Sequence, residues 1–243
     1  MTALFRPVPR DHHETDAAFR RRRKIVAGVS LAGAGLLGVS LSTEPDSPEF
    51  YALTLGVAGT WAAGGVLSGP LHLGRIEHGP ELRRPVLVPV LIGAAAFGAF
   101  YGAALVAREI PVLDTALRSI LQYAKQGSGP LVALTTLANG AAEEFFFRGA
   151  LYAAVGVEGP VAGSTAGYVL ATAATRNPAL ILASVPMGAL FALQRKASGG
   201  IQAPIVTHLT WSALMLRYLP PLFRDAPADR AARLRDWYPW RTG

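Results

Sequence analysis

The sequence contains no cysteine, which excludes disulfide bonds, thiolate metal ligands and a cysteine nucleophile. Charged residues are scarce: they make up 16% of the 243 residues, whereas about a quarter is usual in a soluble domain. No glycine-rich phosphate-binding or dinucleotide-binding motif accompanies a strand pattern. In contrast, 51% of the residues are hydrophobic. This composition is typical of an integral membrane protein.

The apolar residues are gathered in segments, several of which reach the roughly 20 residues needed to cross a bilayer. The weaker, amphipathic segment Asp114–Lys125 is an additional span, a half-helix or an interfacial helix. The predicted fold is all-α, a polytopic transmembrane helical bundle of seven or eight spans. The main spans are predicted near Ile25–Leu41, Tyr51–Leu67, Pro85–Val106, Pro130–Val155, Val161–Thr175, Pro178–Leu193 and Ile201–Leu219.

The distribution of charge predicts the orientation of the chain. The basic run Arg20–Lys24 directly precedes the first predicted span, whereas the charged residues of the next loop are all acidic. By the positive-inside rule, we expect a plasma-membrane protein with a cytoplasmic N-terminus. The position of the basic run favours contact with anionic lipid headgroups and not with nucleic acid. We therefore divide the chain into a basic tail (1–24), a transmembrane bundle (25–219) and a polar, aromatic C-terminal tail (220–243).

Two adjacent glutamates and an arginine lie inside the apolar sequence GAAEEFFFRGALYAAVG. A charge at the bilayer centre costs on the order of 3 kcal/mol on insertion scales, so such residues usually have a function. Glu144 and Arg148 are four residues apart and share a helix face, where they can form an ion pair. Glu143 points about 100° away and has no such partner in the segment. We therefore expect the paired glutamate, Glu144, to have a structural role and the unpaired glutamate, Glu143, to have a chemical role.

His208 is the histidine that lies inside a predicted span, whereas the other four lie in predicted aqueous segments. Alone, it would be interpreted as a hydrogen-bonding group between helices. Combined with the glutamates of another span, it completes a carboxylate and imidazole set that can bind a metal or activate a water. Ser212 lies one turn beyond His208 and can donate to an oxyanion or bond its own backbone.

The motif E-E-x-x-x-R, followed some 60 residues later by A-P-I-x-x-H-x-x-x-S, resembles the CPBP family of intramembrane proteases. This family includes the CAAX-type prenyl-protein endopeptidases and the bacteriocin-processing and immunity proteins. The resemblance covers roughly residues 85–219. It implies an eight-helix membrane bundle with the active-site motifs on its C-terminal four helices. It also implies a hydrolase that cleaves a membrane-attached peptide or a CAAX-type substrate.

The resemblance implies a role for each matching residue. Glu143 would be the general base that activates the attacking water. Glu144 would be the second glutamate of the motif, and Arg148 the arginine that holds the motif together. His208 matches the histidine of the last motif. Ser212 stands where the family often has asparagine, as a candidate oxyanion donor.

The sequence departs from the family between these motifs, where an F-x-x-x-H histidine is expected. The corresponding segment is Y-x-x-x-T, with Thr172 in place of the histidine. A threonine hydroxyl can position a water but is a poor base and a poor zinc ligand. A Zn²⁺ ion would have at most three protein ligands: Glu143, Glu144 and His208. If both glutamates were ligands, no obvious base would be left.

Three outcomes therefore remain open: a metal-free protease that uses glutamate-activated water, an altered zinc site, or an inactive relative that acts as a membrane scaffold or binds a partner. A transporter that uses a glutamate as a proton relay is less favoured, because the two halves of the chain show no inverted symmetry. The expected partners are a membrane-attached peptide and anionic lipid, and the sequence does not identify the substrate further.

Overall fold

The computed structural model describes residues 14–78 and 81–223. Helices form most of these ranges, together with one short antiparallel hairpin that joins two of the long helices. The elements are α1 (Asp16–Ser40), α2 (Pro48–Leu67), β1 (Ile76–His78), β2 (Glu81–Arg83), α3 (Leu87–Ala107), α4 (Pro111–Gln126), α5 (Gly129–Glu143), a π-helix (Glu144–Leu151), α6 (Tyr152–Val155), α7 (Pro160–Ala173), α8 (Pro178–Ser198) and α9 (Gln202–Leu222).

The helical bundle confirms the predicted all-α fold class. Within the described residues, four helices are long and apolar enough to cross a membrane: α1, α2, α3 and α8. The predicted count of seven or eight spans is not confirmed. The predicted segment 130–155 is continuously helical but is divided among α5, the π-helix and α6. The amphipathic segment Asp114–Lys125 forms α4, a helix of 16 residues.

Helix starts follow the local sequence signals. Ser47 accepts a hydrogen bond from the Phe50 amide at the start of α2, and a proline follows at the first helical position. Asn177 caps α8 in the same way, again followed by a proline. The side chain of Asn177 also donates to the Ala116 carbonyl at 2.8 Å, which ties the start of α8 to α4.

Helix α1 begins earlier than predicted and includes the basic run. Thr15 caps the helix, so Arg20–Lys24 is helical. Arg22 is completely buried and contacts Glu14 at 3.2 Å and the Ser68 hydroxyl at 3.3 Å, whereas the other four cations of the run are exposed. Residues 1–13 of the predicted N-terminal tail lie outside the described residues. So does the predicted C-terminal tail beyond residue 223.

The main apolar core packs α1 and α2 against the π-helix. Trp61 is fully buried, and its ring centroid lies 4.8 Å from Phe146 and 4.9 Å from Phe147. On its other side the indole lies directly against Gly33 of α1, where any side chain would overlap it. The first two helices therefore hold in place the segment that follows the double glutamate.

The loop after α2 fixes the start of α9. The Ile201 amide donates to the His72 carbonyl at 2.9 Å, and the Gln202 amide donates to the Leu73 carbonyl at 3.0 Å. These backbone bonds lie less than two turns before His208 along the chain. The position of the histidine is therefore tied to a loop that follows the second helix.

The substitution Gly200→Ala tests this junction. Gly200 lies against the Gly74 backbone, where a Cβ atom would overlap main-chain atoms. We expect Gly200→Ala to destabilise the protein by on the order of 1–3 kcal/mol, because the backbone would have to move apart. The measurement is the thermal denaturation midpoint in detergent. The control is Gly98→Ala in α3, where a Cβ would meet open space and no loss is expected. Equal midpoints for both variants would contradict the argument.

Candidate active site

A π-helix begins at the second glutamate and shapes the site. Segments of this kind are rare and often mark functional positions. Side chains from two neighbouring helices donate to its carbonyl groups: Ser164 of α7 to Phe147 at 2.8 Å, and Arg195 of α8 to Arg148 at 3.0 Å. The helical spacing used to place Glu143, Glu144 and Arg148 is that of a regular α-helix, but the α-helical segment ends at Glu143 and the next eight residues form a π-helix.

Glu144 is the centre of a buried ionic cluster. Its Oε1 atom accepts a hydrogen bond from Arg148 at 3.2 Å and lies 2.9 Å from Nδ1 of His208. Glu144 and Arg148 are fully buried, and His208 is 5% exposed. With Glu144 in its ionised form, as its pairing with Arg148 favours, Nδ1 of His208 is the donor in this contact, because a carboxylate only accepts hydrogen bonds. The pairing of Glu144 with Arg148 agrees with the helix spacing, whereas the contact with His208 was not expected.

Aromatic rings enclose the buried arginine. The guanidinium carbon of Arg148 lies 4.6 Å from the ring centroid of Tyr168 and 5.1 Å from that of Phe191. Its Nη2 atom donates to the Gly188 carbonyl at 3.1 Å. Phe191 also stacks on His208 at a centroid distance of 4.7 Å and an angle of 18°. The charge of Arg148 is thus balanced by Glu144, and aromatic rings enclose its guanidinium group. The His208 ring is held by Phe191 on one face and by the contact of Nδ1 with Glu144.

Glu143 faces a different environment from its neighbour. It is partly buried and lines a cavity of about 1010 Å³, together with Tyr168, His208 and Ser212. Glu144 and Arg148 do not line this cavity. The structure therefore separates the two glutamates, as the spacing argument expects. Glu143 is open to the cavity, and Glu144 is held in the ionic cluster.

The cavity walls are mostly aliphatic and aromatic. The cavity extends from Glu143, His208 and Ser212 into the space between α2, α3, α4 and α9. The few polar side chains lie mainly along α5 and α9. A cavity with this lining suits an apolar chain that presents one polar bond to Glu143, His208 and Ser212. Representative apolar members are Phe100, Leu117, Leu121, Leu180, Met215 and Leu219.

The structure does not place Thr172 with the other predicted site residues. Its hydroxyl donates to the Tyr168 carbonyl at 2.9 Å, one turn back in the same helix, and the residue does not line the cavity. Tyr168 lines the cavity instead. The first residue of the Y-x-x-x-T segment, and not the last, therefore reaches the site.

The predicted metal ligands do not form a metal site in this arrangement. In residues 14–78 and 81–223, no group of three or more histidine, aspartate or glutamate side chains is placed to hold a metal ion. Oε1 of Glu144 is already bound by Arg148 and His208, and Glu143 faces the cavity. One buried oxygen, Oε2 of Glu144, has no hydrogen-bond partner. Glu144 does not line the cavity that Glu143 and His208 line, so the three side chains do not converge as a zinc ion with three protein ligands requires, and we derive no step through a metal.

Sequence reasoning missed Asn139, which lines the cavity one turn before Glu143. Its amide group donates to the Thr54 carbonyl at 3.0 Å and to the Thr135 carbonyl at 2.9 Å. The signal was present as a polar stripe at four-residue spacing, formed by Thr135, Asn139 and Glu143 on an otherwise apolar helix. The roles of Phe191 and Gly188 had no such signal, because each depends on packing between helices.

The fold and composition define a helical membrane protein with a buried polar site. Within it, residues 125–214 match the family model described as type II CAAX prenyl endopeptidase, Rce1-like. The matched segment contains both the double-glutamate motif and the histidine motif, so it confirms the resemblance to the CPBP family that the sequence shows. No curated protein and no solved structure matched the chain.

Arg148→Lys tests the buried cluster. Lysine keeps the charge but cannot pair with Glu144, donate to Gly188 and stack between two rings at once. We expect a loss of stability on the order of 2 kcal/mol, because a buried carbonyl is left without its donor. The thermal denaturation midpoint in detergent measures it.

Arg83→Lys is the matched control. The Arg83 side chain is 61% exposed and pairs with Glu81 on the surface. Such pairs contribute roughly 0–1 kcal/mol, so its midpoint should stay near that of the wild type. Similar midpoints for the two lysine variants would show that the geometry of the arginine is unimportant.

Proposed function

We propose that the chain is an intramembrane endopeptidase that cleaves a membrane-attached peptide, of CAAX type, with a water activated by Glu143. The observation that carries this proposal is the separation of the two glutamates. Glu143 faces a large apolar cavity beside His208 and Ser212, while Glu144 is bound in an ionic cluster. The family match over residues 125–214 supports the same class of reaction.

In this mechanism Glu143 is the general base. A carboxylate within reach of a water in the cavity takes one proton, and the hydroxide that forms attacks the carbonyl carbon of the substrate. The tetrahedral intermediate then collapses, the C–N bond breaks, and the proton held by Glu143 passes to the leaving amine. Water and peptide are consumed, a carboxylic acid and an amine are formed, and the base returns to its starting state.

His208 and Ser212 would stabilise the negative charge that develops on the substrate oxygen. The Glu144 contact occupies Nδ1 of His208 and orients the ring, and Phe191 holds its face. A protonated imidazole donates from both nitrogens, so Nε2 can serve the oxyanion while Nδ1 donates to Glu144. Ser212 lines the same cavity one turn further along α9 and supplies a hydroxyl donor.

The apolar cavity supports a substrate with a lipid chain or an apolar segment next to the cleaved bond. Burial of a hydrocarbon contributes about 25 cal/mol per Å² of apolar surface, so a long chain could anchor the substrate while the polar groups act on one bond. The exposed cations Arg20, Arg21, Arg23 and Lys24 support contact of the same membrane protein with anionic headgroups, at the cytoplasmic face of the plasma membrane.

The alternative is an inactive relative that acts as a scaffold or binds a partner. One observation favours it: Thr172 is turned to its own backbone, so the segment between the motifs contributes neither a histidine nor a free threonine hydroxyl. The buried cluster of Glu144, Arg148 and His208 would serve such a protein equally well as an internal support. A measurement of peptide cleavage distinguishes the active endopeptidase from the inactive relative.

Glu143→Gln is the direct test of the base. Glutamine keeps the shape and loses the basic oxygen, so we expect cleavage to fall by roughly 10²–10⁴-fold, the usual contribution of general acid–base catalysis. The assay follows release of fluorescence from a quenched peptide with a prenylated C-terminal CAAX sequence, in detergent or proteoliposomes. The same peptide without the prenyl group shows whether the lipid is needed.

Glu109→Gln is the control for that series, because Glu109 is exposed on the loop after α3 and pairs with its neighbour Arg108. It should cleave like the wild type. If the wild type cleaves and Glu143→Gln cleaves equally fast, the proposed mechanism is wrong. If wild-type protein does not cleave either peptide, the inactive alternative is favoured.

Ser212→Ala tests the oxyanion donor separately. Removal of one such donor typically lowers the rate by about 10²–10³-fold. We expect this loss in kcat with a small change in KM, because the hydroxyl acts on the intermediate and not on the bound peptide. Steady-state kinetics on the same peptide measure it, and an unchanged kcat would remove Ser212 from the mechanism.

A further inference from the structure

The helices of the bundle meet at two ends that differ in charge. At the first, here called the basic end, α1 begins, α2 ends and α8 passes into α9. Arg22 of α1 donates to the Ser68 hydroxyl after α2 at 3.3 Å. The Arg75 amide of the next loop donates to the Ser198 carbonyl of α8 at 2.8 Å. Exposed cations at this end include Arg20, Arg21, Arg23, Lys24, Arg75, Arg83, Arg84 and Lys196.

The other end of the bundle, here called the far end, is formed around α4. Arg118 of α4 donates to the Phe223 carbonyl after α9 at 2.7 Å. The Tyr123 hydroxyl of α4 donates to the carbonyl of Leu41, in the loop between α1 and α2, at 2.9 Å. The charged residues of that loop are all acidic. The acidic loop and the basic run therefore lie at opposite ends of the bundle.

The cavity of the candidate site lies in the half of the bundle near the far end. It is lined by the second half of α3, by α4 and α5, by the first halves of α2 and α8, and by α9 from His208 onward. Among the described residues, none of 58–98, 144–167 or 187–207 lines it. These ranges form the basic end and the helix halves next to it. The space beside Glu143 therefore extends toward the far end.

Toward the basic end, a buried layer closes the site. Arg148 and Arg195 are 0% and 6% exposed, and Nε of Arg195 donates to the Arg148 carbonyl at 3.0 Å. The Thr207 hydroxyl is also fully buried. It accepts a hydrogen bond from Gln194 at 2.8 Å and donates to the Pro89 carbonyl at 2.9 Å, which joins α8, α9 and α3. A substrate that came from the basic end would have to break these bonds.

The positive-inside rule favours a cytoplasmic position for the basic end, because exposed cations are gathered there. We propose that the substrate reaches Glu143 from the extracytoplasmic side, as a peptide held in the extracytoplasmic leaflet by an apolar anchor. This inference rests on the proposed peptidase function and names the side on which the substrate lies. The apolar lining near the far end accepts the anchor, and the bond to be cleaved lies deeper, at the level of Glu143 and His208.

Single cysteines test this route, because the chain has no cysteine and each introduced thiol is therefore unique. The cavity variants are Thr136→Cys in α5 and Leu216→Cys in α9, two positions of the lining. The controls are Glu109→Cys, exposed at the far end, and Lys196→Cys, exposed at the basic end. A charged, membrane-impermeant thiol reagent is added to intact spheroplasts of a bacterial expression host and, separately, to inside-out vesicles. The thermal denaturation midpoint of each variant in detergent checks that it is folded.

In spheroplasts we expect labelling of both cavity variants and of Glu109→Cys, whereas Lys196→Cys stays unlabelled. In inside-out vesicles only Lys196→Cys should react. Cavity variants that react only in inside-out vesicles, or in neither preparation, would overturn the inference, and so would an exchange of pattern between the two controls. Labelling does not need turnover. If it follows the expectation and wild-type protein does not cleave the peptide, the peptidase function fails, while the opening of the cavity to the extracytoplasmic side stands.

Discussion

The buried contact between Glu144, Arg148 and His208 is the interaction on which the rest of the site depends. Three ionisable groups share a volume from which water is almost excluded, and an unpaired charge there would cost several kcal/mol. The carboxylate therefore has to stay between the guanidinium and the imidazole. Since these groups come from the π-helix and α9, the requirement fixes two motifs that are about 60 residues apart in the chain.

The π-helix begins between the two adjacent glutamates and gives them different surroundings. Its carbonyl groups accept hydrogen bonds from Ser164 of α7 and Arg195 of α8, and Trp61 packs against Phe146 and Phe147 within it. Glu143 ends the preceding α-helix and faces the cavity. One residue later, Glu144 faces the cluster. The proposed catalytic carboxylate, Glu143, is thereby adjacent in sequence to a carboxylate that stabilises the structure, Glu144.

Sequence reasoning predicted the helical bundle and most of its helix bounds, because apolar runs are a local signal. It also predicted the pairing of Glu144 with Arg148 and a different face for Glu143, since both follow from helical spacing. It could not predict the π-helix, the contact of His208 with Glu144 or the position of Tyr168 at the cavity, which arise from packing between distant helices. It selected Thr172 from motif position alone, although a threonine inside a helix often bonds the carbonyl one turn back.

The most direct measurement of the central claim is a side-by-side comparison of Glu143→Gln and Glu144→Gln by thermal denaturation in detergent. Both changes neutralise one carboxylate at adjacent positions. The account predicts that Glu143→Gln keeps a midpoint close to that of the wild type, whereas Glu144→Gln loses several degrees because Arg148 is left without its counter-ion. A normal midpoint for Glu144→Gln, or an equal loss for both variants, would contradict the separation of structural and chemical roles.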